Sequence, residues 1–233
     1  MAKRAGNVCY FLALILVSCS GSDVVRISDQ SYFPLRVGNF QIYQVSETNI
    51  QHQSCTDTST PIKNYQLKAL IYDSAKNPEG GYTYYIHRYT RSDSLHAWTD
   101  LDSWNARVAN NQVIVTTGNV PYLRLVFPFT SVTKWNANLY NDLEAEENSL
   151  KNINQSYQLP GGKKFPTTQT VVQSDNDDIF VKHDVRFEVY APSAGLIYKE
   201  TTQLEYFQQP CYGDQKVRTG LIYTQSLLKY GRE

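Results

Sequence analysis

The side chains able to do chemistry in this 233-residue chain stand at spacings that suit none of the common catalytic motifs. A zinc hydrolase needs two histidines one helical turn apart with a glutamate between them. Here His52, His87, His96 and His183 are scattered. No Gly-x-Ser-x-Gly elbow is present for a serine hydrolase. Gly161-Gly162-Lys163-Lys164 has the composition of a phosphate cradle, but it follows Pro160 and precedes a strand-like run instead of a helix. It therefore reads as a hairpin turn with solvated lysines. Asp175, Asp177 and Asp178 lack the glycine bend and the distal glutamate of a calcium loop. No metal and no cofactor is expected. A glycan hydrolase would need two carboxylates roughly 5 to 9.5 Å apart; Asp100, Asp102, Glu188 and Glu200 are available, with nothing in the sequence to pair them. The chain reads as a non-catalytic binding module, with a glycan hydrolase as the alternative.

The densest group of recognition-type residues is aromatic. Tyr85, His87 and Tyr89 fall on one face of a strand pattern, and Tyr82, Tyr84 and Ile86 on the other, with Trp98 and Trp104 following. If Tyr85, His87, Tyr89, Trp98 and Trp104 line the concavity of a curled sheet, their amphipathic rings suit a lipid, a glycan or a peptide. The same rings also suit ordinary cross-strand pairing that only stabilises a sheet. His183 sits on an apolar face and reads as a core histidine; its neighbour Asp184 points the other way, so the two are not an acid–base pair.

The chain begins with Lys3 and Arg4, then an apolar run from Val8 to Val17, then Ser18 and Cys19. That is the layout of an export signal. The run is about half the roughly 20 residues that span a bilayer as a helix. Leu16-Val17-Ser18-Cys19 resembles the bacterial lipobox, whose cysteine is acylated and becomes the mature N-terminus. The resemblance implies a signal peptide over 1–18 and lipid, palmitate included, on Cys19. Two or three acyl chains hold a soluble domain at a membrane because each buried methylene contributes about 0.8 kcal/mol. Ser20-Gly21-Ser22-Asp23 is small and polar, and residues 19–31 read as the acylated cysteine and a flexible tether. Only Asp23 is acidic in its first part, which points to the periplasmic face of the outer membrane and away from surface display.

Cleavage before Cys19 removes Cys9 and lipid occupies Cys19, so Cys55 and Cys211 remain as a pair in an oxidising compartment. A disulfide between them is expected. There is no Cys-x-x-Cys spacing and no closely flanking histidine to suggest redox or metal work. The charges, 22 basic against 22 acidic side chains, leave no basic footprint for a nucleic-acid partner. The expected partners are the membrane, through lipid, and a lipid, glycan or envelope protein.

From Asn39 onward the pattern has period two, with Tyr, Val, Ile, Thr and Phe between clusters of Gly, Pro, Asn and Asp. Strands are expected at 40–48, 65–73, 82–91, 95–99, 104–109, 112–117, 122–127, 167–174, 179–189, 196–207 and 218–230. The clearest places Ile179, Val181, His183, Val185, Phe187 and Val189 on a core face and Lys182, Asp184, Arg186 and Glu188 on a wet one. Turn signals such as Asn110-Asn111 and Pro192-Ser193-Ala194-Gly195 join neighbours. Leu139, Leu143, Leu150 and Ile153 approach helical spacing and predict one helix in 138–153. The fold expected over 32–233 is a single mainly β domain, one antiparallel meander sheet, curled or half-barrel-like, with at most one short helix.

Tyr32-Phe33-Pro34-Leu35-Arg36-Val37-Gly38-Asn39, the Trp135-Asn136 pair, the segment from Glu188 to Glu200 and Leu227-Leu228-Lys229-Tyr230-Gly231 resemble uncharacterised envelope lipoproteins of the Bacteroidota. The resemblance implies curled antiparallel sheets akin to the half-barrels of periplasmic lipoprotein and lipid carriers. It carries a fold and a location, not an activity. In the same group, Asp followed by Ser and a small or aliphatic residue resembles an O-glycosylation acceptor, which marks Ser74 and Ser94; both also read as plain strand-end turns.

Overall fold

The computed structural model describes Met1 and residues 29–178 and 180–233. The signal segment from residue 2 to 18 with its Cys9, Cys19 with the part of the tether up to residue 28, and Ile179 lie outside the described residues.

A short 3-10 turn (Asp29–Tyr32) leads into twelve strands. They are β1 (Asn39–Gln51), β2 (Ile62–Lys76), β3 (Tyr82–Arg91), β4 (Thr99–Ala109), β5 (Gln112–Thr117), β6 (Val120–Val126), β7 (Lys134–Asn136), β8 (Glu147–Gln158), β9 (Lys164–Asp178), β10 (Lys182–Ala191), β11 (Gly195–Tyr206) and β12 (Val217–Arg232). All belong to one antiparallel sheet in the order β6-β5-β4-β3-β2-β1-β12-β11-β10-β9-β8-β7. Strands therefore pair with their neighbours in sequence except at β6 and β7, the two edges, and β1 pairs with β12. The expected single meander is the observed one.

The sheet curls until β6 and β7, its two edges and themselves consecutive in sequence, stand side by side. Leu123 N–H donates to Ala137 O at 2.8 Å and the buried Trp135 indole to Leu123 O at 2.9 Å, so the seam is bridged without a full ladder. The curl has local causes. Register shifts at Ile42/Tyr43, Ile71/Asp73, Arg186/Phe187 and Val189/Tyr190 insert bulges, each of which bends and further twists its strand.

One end of the barrel is closed by the chain's own N-terminal segment. Tyr32 is buried edge-on against Phe129 at 5.1 Å, and Gln169 Nε2 donates to its hydroxyl. Ser193 N–H donates to Ser31 O at 2.8 Å, and Phe129 N–H donates to the Asp29 carboxylate at 3.2 Å. Phe33, Pro34 and Leu35 follow and face the interior. The turn receiving them needs left-handed backbone at Ser193 (φ 63°) and Gly195 (φ 76°), and glycine supplies the second without strain. Cys55, just after β1, and Cys211, just before β12, form a disulfide with Cα atoms 6.3 Å apart, near the opposite end of the barrel.

Three expectations about elements are corrected. Residues 138–146 form no helix: Asn138 Nδ2 donates to Glu144 O, while Asn136 Oδ1 accepts from the Asn138 and Glu146 N–H groups. These asparagines satisfy the backbone locally, which competes with helix. Leu139 and Leu143 are exposed, and Leu150 is buried on a strand instead. Residues 95–99 are not a strand up to Thr99, because Asp93 Oδ1 accepts from Leu95 N–H and contacts His96 Nδ1, both at 2.8 Å, closing a turn. The third concerns β10. Phe180 and Val181, expected within the strand over 179–189, are exposed in the turn before β10, and His183 is no core histidine: it lies 2.8 Å from Asp177 on the paired strand.

The two faces of β10 are also inverted relative to expectation. Glu188 and Arg186, from the set expected to be wet, face the barrel interior. Phe187 and Val189 face outward with Tyr198, under the β8–β9 hairpin, where Tyr157 packs 5.7 Å from Tyr198 and Phe165 joins the cluster. Both faces of this strand end are thus buried, which is why Glu188 to Ala191 are all inaccessible.

Candidate functional site

Among the described residues, two adjoining spaces lie in the barrel interior. The deeper is a chamber of about 130 Å³, walled by Leu67, Ala69 and Ile71 of β2, Ile86 of β3, Val115 of β5 and Leu196 of β11, with Phe33 and Leu35 as its floor. The outer space, of about 440 Å³, is the mouth; Tyr122, Asn148, Gln173, Thr201, Gln203 and Tyr223 line it. Arg88, Trp104, Arg124, Lys199 and Gln225 line both and form the boundary between them.

At this boundary Glu188 is nearly fully buried. Lys199 Nζ is 3.1 Å and Arg124 Nη1 3.5 Å from the same oxygen, Oε1, while the Tyr190 hydroxyl donates to Oε2. Strand pairing explains the first contact: Glu188 of β10 lies opposite Lys199 of β11, so both project to one face. Burial raises the Glu188 pKa, but Lys199, Arg124 and the Tyr190 hydroxyl outweigh it and lower the value to about 2. The carboxyl is held ionised. The same burial, with the adjacent carboxylate, pushes the Tyr190 hydroxyl well above its ordinary range, so it stays protonated and able to donate.

The remaining interior cations are individually matched. Arg88 makes two 2.6 Å bonds to Asp102 and stacks on Trp104 with its guanidinium 3.6 Å from the ring centroid. Arg186 is bracketed by Asp184 and Glu146. Tyr43, inward on β1, donates to Leu196 O at 3.0 Å. Asn148 Oδ1 is buried with no hydrogen-bond partner among the described residues.

The aromatic candidates are divided by this geometry. Trp104 lines the interior. Since Ile86 and Arg88 of β3 also face inward, alternation turns Tyr85, His87 and Tyr89 to the outer face. There they form a ring group with Tyr72: His87 and Tyr89 lie 4.4 Å apart, and Tyr72 is 6.3 Å from Tyr85 and 5.9 Å from His87. Trp98, in the segment before β4, carries the guanidinium of Arg91 at 4.1 Å. Ser94 is exposed in the β3–β4 turn, and Ser74 is half-buried near the end of β2. The candidate carboxylates are dispersed as well: Asp100 is exposed 3.4 Å from His87, and Glu200, beside the inward Lys199, accepts from Tyr198 on the other face. Sequence reasoning passed over Arg124, Lys199 and Gln225. The available signal was a charged residue within an otherwise uncharged alternate set, as at Arg124 two residues from Tyr122 and from Val126.

Neither a family model nor a curated protein matches the chain. Two solved structures are similar to it: a candidate exported protein with a YmcC-like fold from Bacteroides fragilis and a candidate lipoprotein from Parabacteroides distasonis. Each has a TM-score of 0.44 and 11% identity, over 86% of this chain and 98% of the other.

Proposed function

We propose that this chain is a lipid-anchored envelope protein that binds an amphipathic small molecule inside its barrel and does no chemistry on it. The observation that carries this reading is the interior itself: an apolar chamber opening, past a ring of charged side chains, into a polar mouth. Burial of an apolar group in the chamber supplies affinity, and the few polar groups at the boundary supply orientation. The Cys55–Cys211 disulfide supports an oxidising compartment. Acylation of Cys19 within the lipobox-like segment, after removal of residues 1–18, would place the domain at the outer membrane, facing the periplasm, with the residues that follow Cys19 as its tether. The barrel then forms a single binding domain. Exposed Ser94 is the more accessible of the two glycosylation candidates.

The ion pairing of the interior supports binding over hydrolysis. A glycosidase acting through two carboxyl groups needs one of them protonated as the acid. Glu188 is held ionised, and Glu146 lies 2.8 Å from Arg186.

Native mass spectrometry tests the reading. The full chain carrying Cys19→Ser, expressed in a periplasm, is compared intact and denatured. A reproducible non-covalent adduct that disappears on denaturation supports it; a bare polypeptide that also takes up no added amphiphile refutes it. Fractionation of cells making the unsubstituted chain tests the anchor: the protein should sediment with membranes and become soluble with Cys19→Ser.

A further inference from the structure

The four cations of the boundary and mouth face four carboxylates, but unevenly: Arg186 holds two, while around Glu188 two cations meet one. Glu188 is one carboxylate shared by two cations, both through Oε1, while its other oxygen is taken by Tyr190. Arg88 and Arg186 have carboxylates of their own in Asp102, Asp184 and Glu146. Lys199 is the nearer to Glu188, leaving Arg124, among the described residues, with a single long contact to an oxygen already engaged. Its guanidinium otherwise approaches the Tyr122 ring at 5.4 Å and is about a fifth exposed, toward the mouth. A guanidinium presents five N–H donors in a planar fork that matches a carboxylate or phosphate. One long shared contact satisfies few of them.

Resting on the binding role proposed above, we propose that the ligand is an anionic amphiphile whose carboxylate or phosphate head is held by Arg124 and Lys199, with its apolar end in the chamber. The head would supply a second negative charge to the local group of Arg124, Lys199 and Glu188. The side-chain order along the barrel fixes the orientation. From β10 and β11, Tyr190 and Leu196 lie toward the Phe33–Leu35 floor, Glu188 and Lys199 come next, and Arg186, Thr201 and Gln203 reach the mouth. An apolar group below Lys199 and a head beside it therefore require no buried polar atom in the chamber. The chamber's size sets the scale of what enters it. A cavity of about 150 Å³ lined by aliphatic and aromatic side chains accommodates benzene, so 130 Å³ suits a short acyl end or one ring and excludes a whole long-chain lipid.

Isothermal titration of octanoate, 1-octanol and octylammonium into the full chain carrying Cys19→Ser tests this, repeated with Arg124→Gln added. Arg124→Gln leaves the Lys199–Glu188 pair one to one, and the titrations of the Arg124 protein stand without it. The expected result is tightest binding for octanoate, weakest for octylammonium, and a loss of about tenfold or more for octanoate alone in Arg124→Gln, as for a hydrogen bond to a charged group. Octanol binding as tightly as octanoate, or octanoate binding unchanged in Arg124→Gln, would overturn the anionic head while leaving the binding role intact. Failure of all three to bind would overturn both. Phosphate-headed octyl phosphate, run in parallel, distinguishes the two kinds of head by its affinity relative to octanoate.

Discussion

Lys199 Nζ lies 3.1 Å from Glu188 Oε1 across the β10–β11 pair, at the level where the apolar chamber gives way to the polar mouth. The contact makes a charged interior tolerable. A buried carboxylate without a partner costs several kcal/mol, and here its lone pairs meet an ammonium, a guanidinium and a hydroxyl. The arrangement also makes the local electrostatics around Lys199 and Arg124 depend on one group.

Glu188→Gln should therefore destabilise the protein at neutral pH by about 2–3 kcal/mol, less than a fully buried pair because both cations remain partly solvated. The pH dependence follows from the sign of the shift. The folded carboxyl is depressed to about 2, below its unfolded value, so its stabilisation is fully present above about pH 5 and is lost as pH falls toward 2. Urea midpoints measured from pH 7 to pH 2.5 should fall more steeply for the Glu188 protein than for Glu188→Gln. Parallel curves would show that the carboxylate contributes no pH-dependent stability.

Ala69 faces the chamber from β2, half-buried among Ile71, Ile86 and the plug residues. Ala69→Phe fills that space without adding a polar atom. It should abolish octanoate and octanol binding with little change in thermal midpoint, since cavity filling and overpacking act in opposite directions. Retained binding with an unchanged fold would place the ligand outside the chamber.

An ideal Cβ at Gly195 would stand 2.9 Å from Gln41 Nε2 and 3.2 Å from Pro34 Cδ, on a backbone at φ 76°. Gln41 Nε2 donates to the neighbouring Ala194 O, so the clash would reach both the plug and its holding bond. Gly195→Ala should lower stability by about 1–3 kcal/mol through strain and overpacking together. Chemical denaturation checks it; a neutral substitution would mean that the plug is free to shift.

The disulfide closes a sequence separation of 156 residues between loops that flank paired strands. Cys55→Ser with Cys211→Ser should lose about 2–4 kcal/mol, mostly by releasing the unfolded chain. Thermal scans of the oxidised protein with and without reductant should show the same displacement as the double substitution. No displacement on reduction would mean that the β1–β12 pairing alone sets stability there.

Much of the fold was legible because it is local. Strands 82–91 and 112–117 coincide with the observed β3 and β5, since period-two alternation between turn residues admits few other conformations. Gly195 and Asn110-Asn111 mark turns through the positive φ they adopt. The β7 strand was not legible: three residues, Lys134 to Asn136, are too few to show a period. The β8 strand was hidden because Asn152 and Asn154 take positive φ and break its alternation, leaving leucines at a helix-like spacing.

The site was less legible than the fold. The aromatic run of β3 drew attention to Tyr85, His87 and Tyr89, which the curl turns outward, while their neighbours Ile86 and Arg88 face the chamber. In a solid core the inward residues are the apolar ones, so pattern and direction agree. In a barrel that keeps a space inside, inward residues are chosen for what occupies that space and can be charged.

By itself the sequence determined an antiparallel meander with a segment before it that has the form of an export signal, because strand period, turn chemistry and an apolar run are all written within a few consecutive residues. Tertiary structure alone decided that Glu188 and Arg186 face inward and Phe187 and Val189 outward. Alternation states that a strand has two unlike faces. Which of them becomes the interior depends on the sign of the sheet's curl and on the β8–β9 hairpin that covers the apolar side, both set by residues far away along the chain.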